Sequence, residues 1–251
     1  LRLRTEPTFD VEQTVYRALP IATAIDHLDE IMSSAYSVSL FTDWRSTVDQ
    51  VWAKRRVGRD DPPPSTLFGA VPATADVHPL AGLDPAACTP QCAVAGPWHE
   101  RLPHFRAAFT PSHGDELQSE YFVGIDAAAP AMRALVAIGA ELEPVLLVSE
   151  VRTIAADDQW ISTSSDADKL AVHFTWRRDP TAVAAVLPTI EAALAPFGAR
   201  PHWAKVSAMS VGDVRCRFPR FEDFRRLVER LDPTHTFRNA VLEELLADPA
   251  A

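Results

Sequence analysis

Two strand-like segments of the chain place polar side chains side by side within apolar runs. Residues 145–154 are rich in Val and Leu but include Glu150 and Arg152, and residues 170–176 include His173 and Thr175. Because successive side chains of a strand point to opposite faces, the members of each pair share one face. An acid, a guanidinium, an imidazole and a hydroxyl can bind polar ligands and transfer or stabilise charge, so both segments are candidates for a functional site.

A third candidate is the segment 201–205, Pro-His-Trp-Ala-Lys. In an extended conformation His202 and Ala204 would share one face, and Trp203 and Lys205 the other. Taken alone, each of the three segments also has a structural explanation. These explanations are an ion pair at a strand end, a hydrogen-bonded core histidine, and a lysine that reaches solvent past an aromatic ring.

Hydrophobic periodicity predicts the elements that carry these segments. Strands are expected at 1–16, 36–42, 50–55, 105–110, 117–123, 145–154 and 170–176, with hairpins joining the second to the third and the fourth to the fifth. Helices are expected at 22–35, 127–142, 181–196, 221–231 and 239–247, with Pro188 as a kink or boundary. The proline-rich residues 60–103 are expected to form an ordered, irregular excursion. The pattern predicts an α+β fold, an antiparallel sheet with helices packed on one face.

Charge and composition argue against several classes of protein. The net charge of −10 disfavours a nucleic-acid or anionic-membrane partner, so the basic run 54–56 is interpreted as a solvated face. No apolar run approaches the ~20 residues that span a bilayer, and residues 1–7 lack the apolar core of a signal peptide. The three cysteines are an odd number, which favours a reducing compartment. We expect a cytoplasmic monomer without a metal site, since Cys88-x-x-x-Cys92 has no second pair of ligands.

The order of the three polar segments resembles a known family. Glu-x-Arg, His-x-Thr and Pro-His-Trp-x-Lys follow one another as in the C-terminal region of the aldonolactone/alditol oxidases, in the vanillyl-alcohol oxidase superfamily of flavoproteins. The resemblance extends over nearly the whole chain and is specific to the alditol (xylitol) oxidase branch. Further segments that carry it are 36–44, 96–105, 117–121, 218–224 and 231–239.

The resemblance implies a role for each candidate residue. Arg152 and Lys205 would be catalytic and would bind the hydroxyl oxygen that becomes a carbonyl, where positive charge stabilises a developing alkoxide. Lys205 and His202 would contact the cofactor. The implied substrate-binding residues are Glu150, Arg152, His173, Thr175 and Lys205. One departure is Ala204, which stands where the family usually has Gly.

The resemblance also implies a cofactor, partners and a division of the chain. FAD would be held covalently by an N-terminal FAD-binding domain that the chain lacks, since its nine glycines include no G-x-G-x-x-G element. Residues 1–18 would be the trailing edge of that domain, 19–203 the substrate-binding cap domain, and 204–251 a segment returning toward the flavin domain. The implied reaction oxidises a terminal CH–OH of a polyol to the aldehyde and reduces O₂ to H₂O₂. Alternatives are a sugar or aldonolactone flavin dehydrogenase of the same superfamily, and a non-catalytic fragment without FAD.

Overall fold

A computed structural model of the chain describes residues 3–109 and 116–247, and within them nine strands form a single sheet. The strands are β1 (Asp10–Pro20), β2 (Ser37–Thr42), β3 (Thr47–Arg56), β4 (Val71–Pro72), β5 (Gly96–Pro97), β6 (Leu117–Gly124), β7 (Leu146–Ile154), β8 (Lys169–Trp176) and β9 (Arg200–Pro201). Their order is β4-β1-β3-β2-β7-β8-β6-β9, and β5 pairs with β1. Neighbouring strands are antiparallel, as the sequence predicts.

The helices of the described residues are mostly short. They are α1 (Ile21–Asp26), α2 (Leu28–Met32), α3 (Trp98–Arg101), α4 (Ala128–Ala137), α5 (Gly139–Leu142), α6 (Pro180–Leu194), α7 (Val211–Cys216), α8 (Phe221–Leu231) and α9 (Ala240–Leu246). The single helix predicted at 22–35 is wrong, because the backbone leaves the helical region at His27, whose ring stacks on Phe68 at 4.4 Å. The helix predicted at 127–142 also divides, just before Gly139. A Cβ there would lie 2.3 Å from the Trp44 carbonyl oxygen, so the close approach of the two backbones requires glycine.

The helices of the main core cover one face of the sheet, as predicted. Alternate residues of β8 (Leu170, Val172, Phe174 and Trp176) are buried in the main core together with apolar side chains of α1, α2, α4 and α6. Two tryptophans of this core bury their indole N–H groups against serine hydroxyls, Trp176 to Ser119 at 2.9 Å and Trp44 to Ser149 at 2.7 Å. The opposite face of β6, β7 and β8 carries polar side chains, and we call it the polar face.

The irregular excursion predicted at 60–103 is confirmed, and it lies over part of the polar face. Cys88 and Phe105 pack on Phe41 and Trp52, which point to that face from β2 and β3.

The excursion also changes the interpretation of the basic run 54–56. Lys54 is fully buried and Arg55 is 3% exposed, so the prediction of a solvated face is wrong for both.

The predicted pairing of 105–110 with 117–123 is wrong. Phe105 forms only an isolated bridge to Cys88, and β6 pairs with β8 and β9 instead. The sequence also predicts a turn at 111–114 between these two segments, and that turn lies outside the described residues. The two neighbours of β6 in the sheet are therefore β8 and β9, which both lie more than 40 residues further along the chain. Because it has a strand on each side, β6 is an interior strand of the sheet.

Helix α6 continues through Pro188, so the boundary that the sequence allowed at this residue is not present. Pro188 is exposed, so the carbonyl group that it leaves without an intrahelical partner can be hydrated. By length and composition, Pro180–Phe197 is apolar enough to cross a membrane, which the sequence analysis did not expect. Its buried residues, which include Val183, Leu187 and Ile190, form one stripe that packs in the main core.

The C-terminal helices form a small core of their own. Phe218, Phe221, Leu245 and Leu246 are buried together, and α7, which the sequence analysis missed, contributes to the same cluster. Helix α8 ends at Leu231, as predicted, and the carboxylate of the next residue, Asp232, accepts hydrogen bonds from two following backbone N–H groups. The proposed divisions at 18/19 and 203/204 stay predictions.

Candidate active site

Strand register brings three of the polar residues into one row on the polar face. Glu120 on β6 lies opposite His173 on β8, which in turn lies opposite Glu150 on β7. Directly opposed residues on one face of an antiparallel pair have Cβ atoms about 5 Å apart, so their side chains interact. Two residues further along β8, Thr175 is the next side chain on the polar face, and its hydroxyl lies 3.2 Å from His173 Nε2.

Glu120 links the two cations that the sequence analysis assigned to catalysis. Its Oε1 accepts a hydrogen bond from an Arg152 terminal nitrogen at 2.6 Å, and its Oε2 accepts one from Lys205 Nζ at 2.7 Å. Lys205 Nζ also lies 2.7 Å from His173 Nδ1. Glu120 is only 4% exposed, so these are buried, charge-assisted hydrogen bonds.

Lys205 reaches this position through a turn and not through an extended segment. The backbone N–H groups of His202 and Val206 donate to β6 carbonyl groups, and the Lys205 N–H donates to the His202 carbonyl at 3.3 Å. The prediction that Trp203 and Lys205 share a face is therefore wrong. Trp203 instead packs on Phe218, with ring centroids 4.5 Å apart, while Lys205 points to Glu120 and His173.

Glu150 is held from the other side of the row. His104, which follows the proline-rich excursion, lies with Nε2 at 2.8 Å from Glu150 Oε1, and the Ser39 hydroxyl is 3.2 Å from the same nitrogen. Arg152 Nε lies 3.7 Å from Glu150 Oε1. The Arg152 side chain thus stands between two carboxylates and bridges the Glu120 and Glu150 halves of the site.

The surrounding charges keep both carboxylates ionised. Burial alone would raise the pKa of Glu120, but the contacts to His173 and Lys205 and the charge of Arg152 outweigh it and lower the pKa. The pKa of Glu150 is lowered in the same way, because the His104 contact and the Arg152 charge outweigh burial. Burial would lower the pKa of Arg152, and the two carboxylates raise it instead.

Two cavities adjoin these residues. A cavity of about 150 Å³ is lined by Glu150, His173 and Thr175 together with Gln118 and the apolar Phe41 and Leu80. A more open cavity of about 390 Å³ is lined by Glu120, Arg152, Phe122, His202 and Trp203. Lys205 contacts His173 of the first and Glu120 of the second, so the row of polar residues separates the two.

Two N–H donors of the site are not used in hydrogen bonds among the described residues. Arg152 Nε is buried and makes no hydrogen bond, although the rest of the guanidinium binds Glu120. The Lys205 ammonium has three hydrogens, and two of them suffice for Glu120 and His173. A buried donor without a partner is costly, so an acceptor oxygen fits here.

The structure brings together five of the six residues singled out from the sequence: Glu150, Arg152, His173, Thr175 and Lys205. His202 stands apart from their hydrogen bonds. Its ring stacks on Phe122, its Nδ1 accepts the Ala204 N–H at 3.1 Å, and burial lowers its pKa. Within residues 3–109 and 116–247, no group of three His, Cys, Asp or Glu side chains is arranged to hold a metal ion.

Sequence reasoning missed Glu120, His104 and Lys54. Glu120 had a usable signal, because it is a charged residue that alternates with buried neighbours on β6, as Glu150 does on β7. His104 lies in the segment 96–105 that carries the family resemblance, but no periodicity there assigns its side chain to the site. Lys54 had no signal, since it lies in a basic run.

Comparison with known proteins identifies the family. The family model described as D-arabinono-1,4-lactone oxidase matches residues 115–245, which is more than half of the chain and includes β6 to β9. The chain belongs to the D-arabinono-1,4-lactone oxidase family. The resemblance and the α+β fold expected from the sequence are thereby confirmed.

Curated members of this family and its relatives differ in how much of the chain they match. An alditol oxidase from a Streptomyces species is 46% identical over 98% of the chain, and the match covers 58% of that protein. An L-gulono-1,4-lactone dehydrogenase from Mycobacterium tuberculosis is 29% identical over 41% of the chain, and the mouse L-gulonolactone oxidase is 40% identical over 22%. The chain therefore spans less than two thirds of the length of the curated relatives that it matches.

Proposed function

We propose that this chain is the substrate-binding part of an FAD-dependent alditol oxidase. The enzyme would oxidise a terminal CH–OH of a polyol to the aldehyde and reduce O₂ to H₂O₂. The observation that carries the proposal is the joint binding of Arg152 and Lys205 to Glu120, beside a cavity lined by Glu150, His173 and Thr175. The extensive identity to the Streptomyces alditol oxidase supports a polyol over a lactone.

The residues of this chain fit the reactive ring of a flavin and not its pyrophosphate. The larger cavity is lined by the Arg152 side chain and the His202 ring, which suit a heterocycle rich in carbonyl oxygens and ring nitrogens. A glycine-rich phosphate loop is absent from the sequence, so an N-terminal FAD-binding domain would hold the rest of the cofactor covalently. The flavin, when bound, would supply the two-electron redox chemistry.

The two cations would act on the substrate oxygen. As the C–H bond of the alcohol breaks, its hydroxyl group must lose a proton, and negative charge develops on oxygen. Arg152 Nε–H and the third hydrogen of Lys205 make no other hydrogen bond and are available to donate to that oxygen. Because Glu120 fixes both cations before substrate binds, they need little reorganisation as the charge develops.

The smaller cavity would bind the remaining hydroxyl groups of the polyol. Glu150, Thr175 and Gln118 offer acceptors and donors along one wall, while Phe41 and Leu80 exclude water from the other. A site with buried polar partners discriminates strongly against analogues that lack the matching hydroxyl groups. We therefore expect a linear polyol to react faster than the corresponding monohydric alcohol.

Anaerobic stopped-flow reduction of the flavin in the FAD-loaded protein tests the proposal. We expect Lys205→Met and Arg152→Met each to lower the limiting reduction rate about 10²–10³-fold, the usual cost of losing one donor to a developing oxyanion, with smaller effects on polyol Kd. Lys169→Met is the matched control, because Lys169 is nearly buried and pairs with Asp166 outside the site. Unchanged reduction rates in both site variants would refute the roles of the cations.

Two further measurements separate the alternatives. Mixing the reduced protein with O₂ distinguishes an oxidase from a dehydrogenase, because a dehydrogenase would be reoxidised slowly. The absorption spectrum of the 251-residue chain produced alone should lack a visible flavin band. A bound flavin in that sample would contradict the proposal that another domain holds the cofactor.

A further inference from the structure

A buried lysine stands behind Glu150, outside the set of residues that reach the substrate. Lys54 lies on β3, is fully buried, and points to the polar face beneath the proline-rich excursion. Its Nζ donates to the Leu102 carbonyl oxygen and lies 3.1 Å from His104 Nδ1. No carboxylate of the described residues forms a salt bridge with it, which is unusual because burying an unpaired ammonium is costly.

The acceptors around Lys54 match a neutral amine. Burial lowers the pKa of Lys54 to about 7, although the charge of Glu150 acts in the opposite direction. A neutral amine has two N–H donors, and Lys54 has two acceptors, the Leu102 carbonyl and His104 Nδ1. The contact to His104 therefore does not require the positive charge, and Lys54 can serve as a donor on either side of neutral pH.

The direction of the hydrogen bonds then determines where His104 carries its proton. His104 is itself largely buried, with 20% of its side chain exposed, and burial lowers its pKa, so one ring nitrogen is protonated and the other is an acceptor. Because the ionised Glu150 carboxylate can only accept, the proton lies on Nε2, which donates to Glu150 Oε1 at 2.8 Å, and Nδ1 then accepts from Lys54 Nζ–H at 3.1 Å. In the other tautomer two lone pairs, of Nε2 and of the carboxylate, would face each other.

We propose that Lys54 and His104 are positioning residues for polyol binding, with Lys54 holding His104 in the Nε2–H tautomer that orients the Glu150 carboxylate in the smaller cavity. This inference rests on the proposed function, since it gives Glu150 a polyol to bind. Glu150 and His104 both line the cavity, and His104 binds only one of the two Glu150 carboxylate oxygens. Without the His104 donor, Glu150 would turn toward Arg152, 3.7 Å away, and substrate hydroxyl groups would lose their acceptor.

Three variants and a control test the inference kinetically in the FAD-loaded protein. We expect Lys54→Met and His104→Leu to raise polyol Kd and KM about tenfold, the effect of one lost hydrogen bond to a charged group, with kcat changed much less. His104→Gln places an amide N–H near the position of Nε2 and should restore most of the affinity. Lys169→Met again serves as the control for removing a nearly buried lysine, and its KM should equal that of the wild type.

Imidazole ¹⁵N NMR of the labelled, FAD-loaded protein reads the tautomer without reference to activity. The wild type should show His104 as the Nε2–H tautomer, and Lys54→Met should shift it toward Nδ1–H. A merely structural role of Lys54 would leave the tautomer unchanged, and that result would overturn the proposal.

The outcomes separate this inference from the proposed function. If the wild type fails to oxidise polyols, the proposed function fails, and with it the purpose assigned to the Lys54–His104 pair. If the wild type oxidises polyols but Lys54→Met leaves KM unchanged, the inference alone is overturned. If Lys54→Met does not fold, the two His104 variants decide, because equal increases of KM in His104→Gln and His104→Leu would contradict an N–H donor role.

Discussion

Replacing Glu120 by glutamine is the most direct test of how the two cations are held. Glu120 is 4% exposed and accepts hydrogen bonds from both Arg152 and Lys205. Glutamine has nearly the same shape but only one acceptor oxygen. Its amide NH₂ group would face the second cation, so one charge-assisted hydrogen bond is lost and one cation stays partly buried without a counter-ion.

The size of the effect follows from the burial of the partners. A hydrogen bond to a charged group contributes about 1.5–3 kcal/mol, and removing one partner of a buried ion pair costs about 3–5 kcal/mol. The Arg152 side chain is 40% exposed, so water can replace part of what it loses. We therefore expect Glu120→Gln to lower the free energy of unfolding by about 3 kcal/mol at pH 7, near the low end of the buried range.

A second bridging carboxylate provides a matched control. Asp166 binds Lys169 at 3.0 Å and Arg200 at 2.9 Å, in the same two-cation arrangement, but its side chain is 50% exposed. Asp166→Asn should cost less, about 1.5 kcal/mol, because water reaches the Asp166 carboxylate although Lys169 and Arg200 are nearly buried. Urea denaturation of the two variants beside the wild type, followed by circular dichroism, measures both values. Equal effects of the two substitutions would refute the argument from burial.

The pH dependence gives an independent check with a definite sign. The folded-state pKa of Glu120 is lowered below its ordinary value of 4.5, so its ionised form stabilises the fold at pH values above 4.5. That contribution is lost as the pH falls through the folded-state pKa. The difference in unfolding free energy between wild type and Glu120→Gln should therefore be complete at pH 7 and shrink steadily below pH 4.5. A difference that stays constant down to pH 3 would contradict the assigned cause.

Two further predictions concern packing and thiol reactivity. Gly139→Ala should lower the free energy of unfolding by about 1–3 kcal/mol, measured by denaturation, because its Cβ would lie 2.3 Å from the rigid Trp44 carbonyl oxygen; an unchanged midpoint would refute that contact. Cys88 is fully buried with its pKa raised by burial to about 11, so a thiol reagent at pH 8 should label Cys92 and Cys216 in the native protein and Cys88 only after unfolding. Rapid native labelling of Cys88 would contradict its burial.

The parts of the site that lie within one strand could be predicted from the sequence. The two-residue period alone places Glu150 with Arg152 and His173 with Thr175, and the structure has each pair on the polar face. The face itself was also predictable, because the buried residues of β8 alternate with polar ones. Local periodicity is sufficient wherever a regular strand determines which side chains point the same way.

Contacts between distant segments were beyond that reasoning. Proximity in the chain favours pairing of β6 with residues 105–110, but β6 pairs with β8, which begins about 45 residues after β6 ends. The same kind of contact buries Lys54, because the excursion that covers it starts after β3 and has no periodic signal. The sequence also gives no signal for the turn at His202. Because of that turn, Trp203 and Lys205 point in different directions and do not share one face as predicted.

A shared carboxylate allows the cations Arg152 and Lys205 to lie side by side, because it reduces the repulsion between them. Arg152 and Lys205 would repel each other if both were unpaired, and Glu120 between them holds both in place. Glu150 lies 3.7 Å from Arg152 Nε without a hydrogen bond to it, so Arg152 Nε–H and the third hydrogen of Lys205 are still able to donate. These donors stabilise an oxygen that gains negative charge in the transition state more than they stabilise the neutral alcohol in the ground state. Because only this difference lowers the reaction barrier, the arrangement favours the oxidation step.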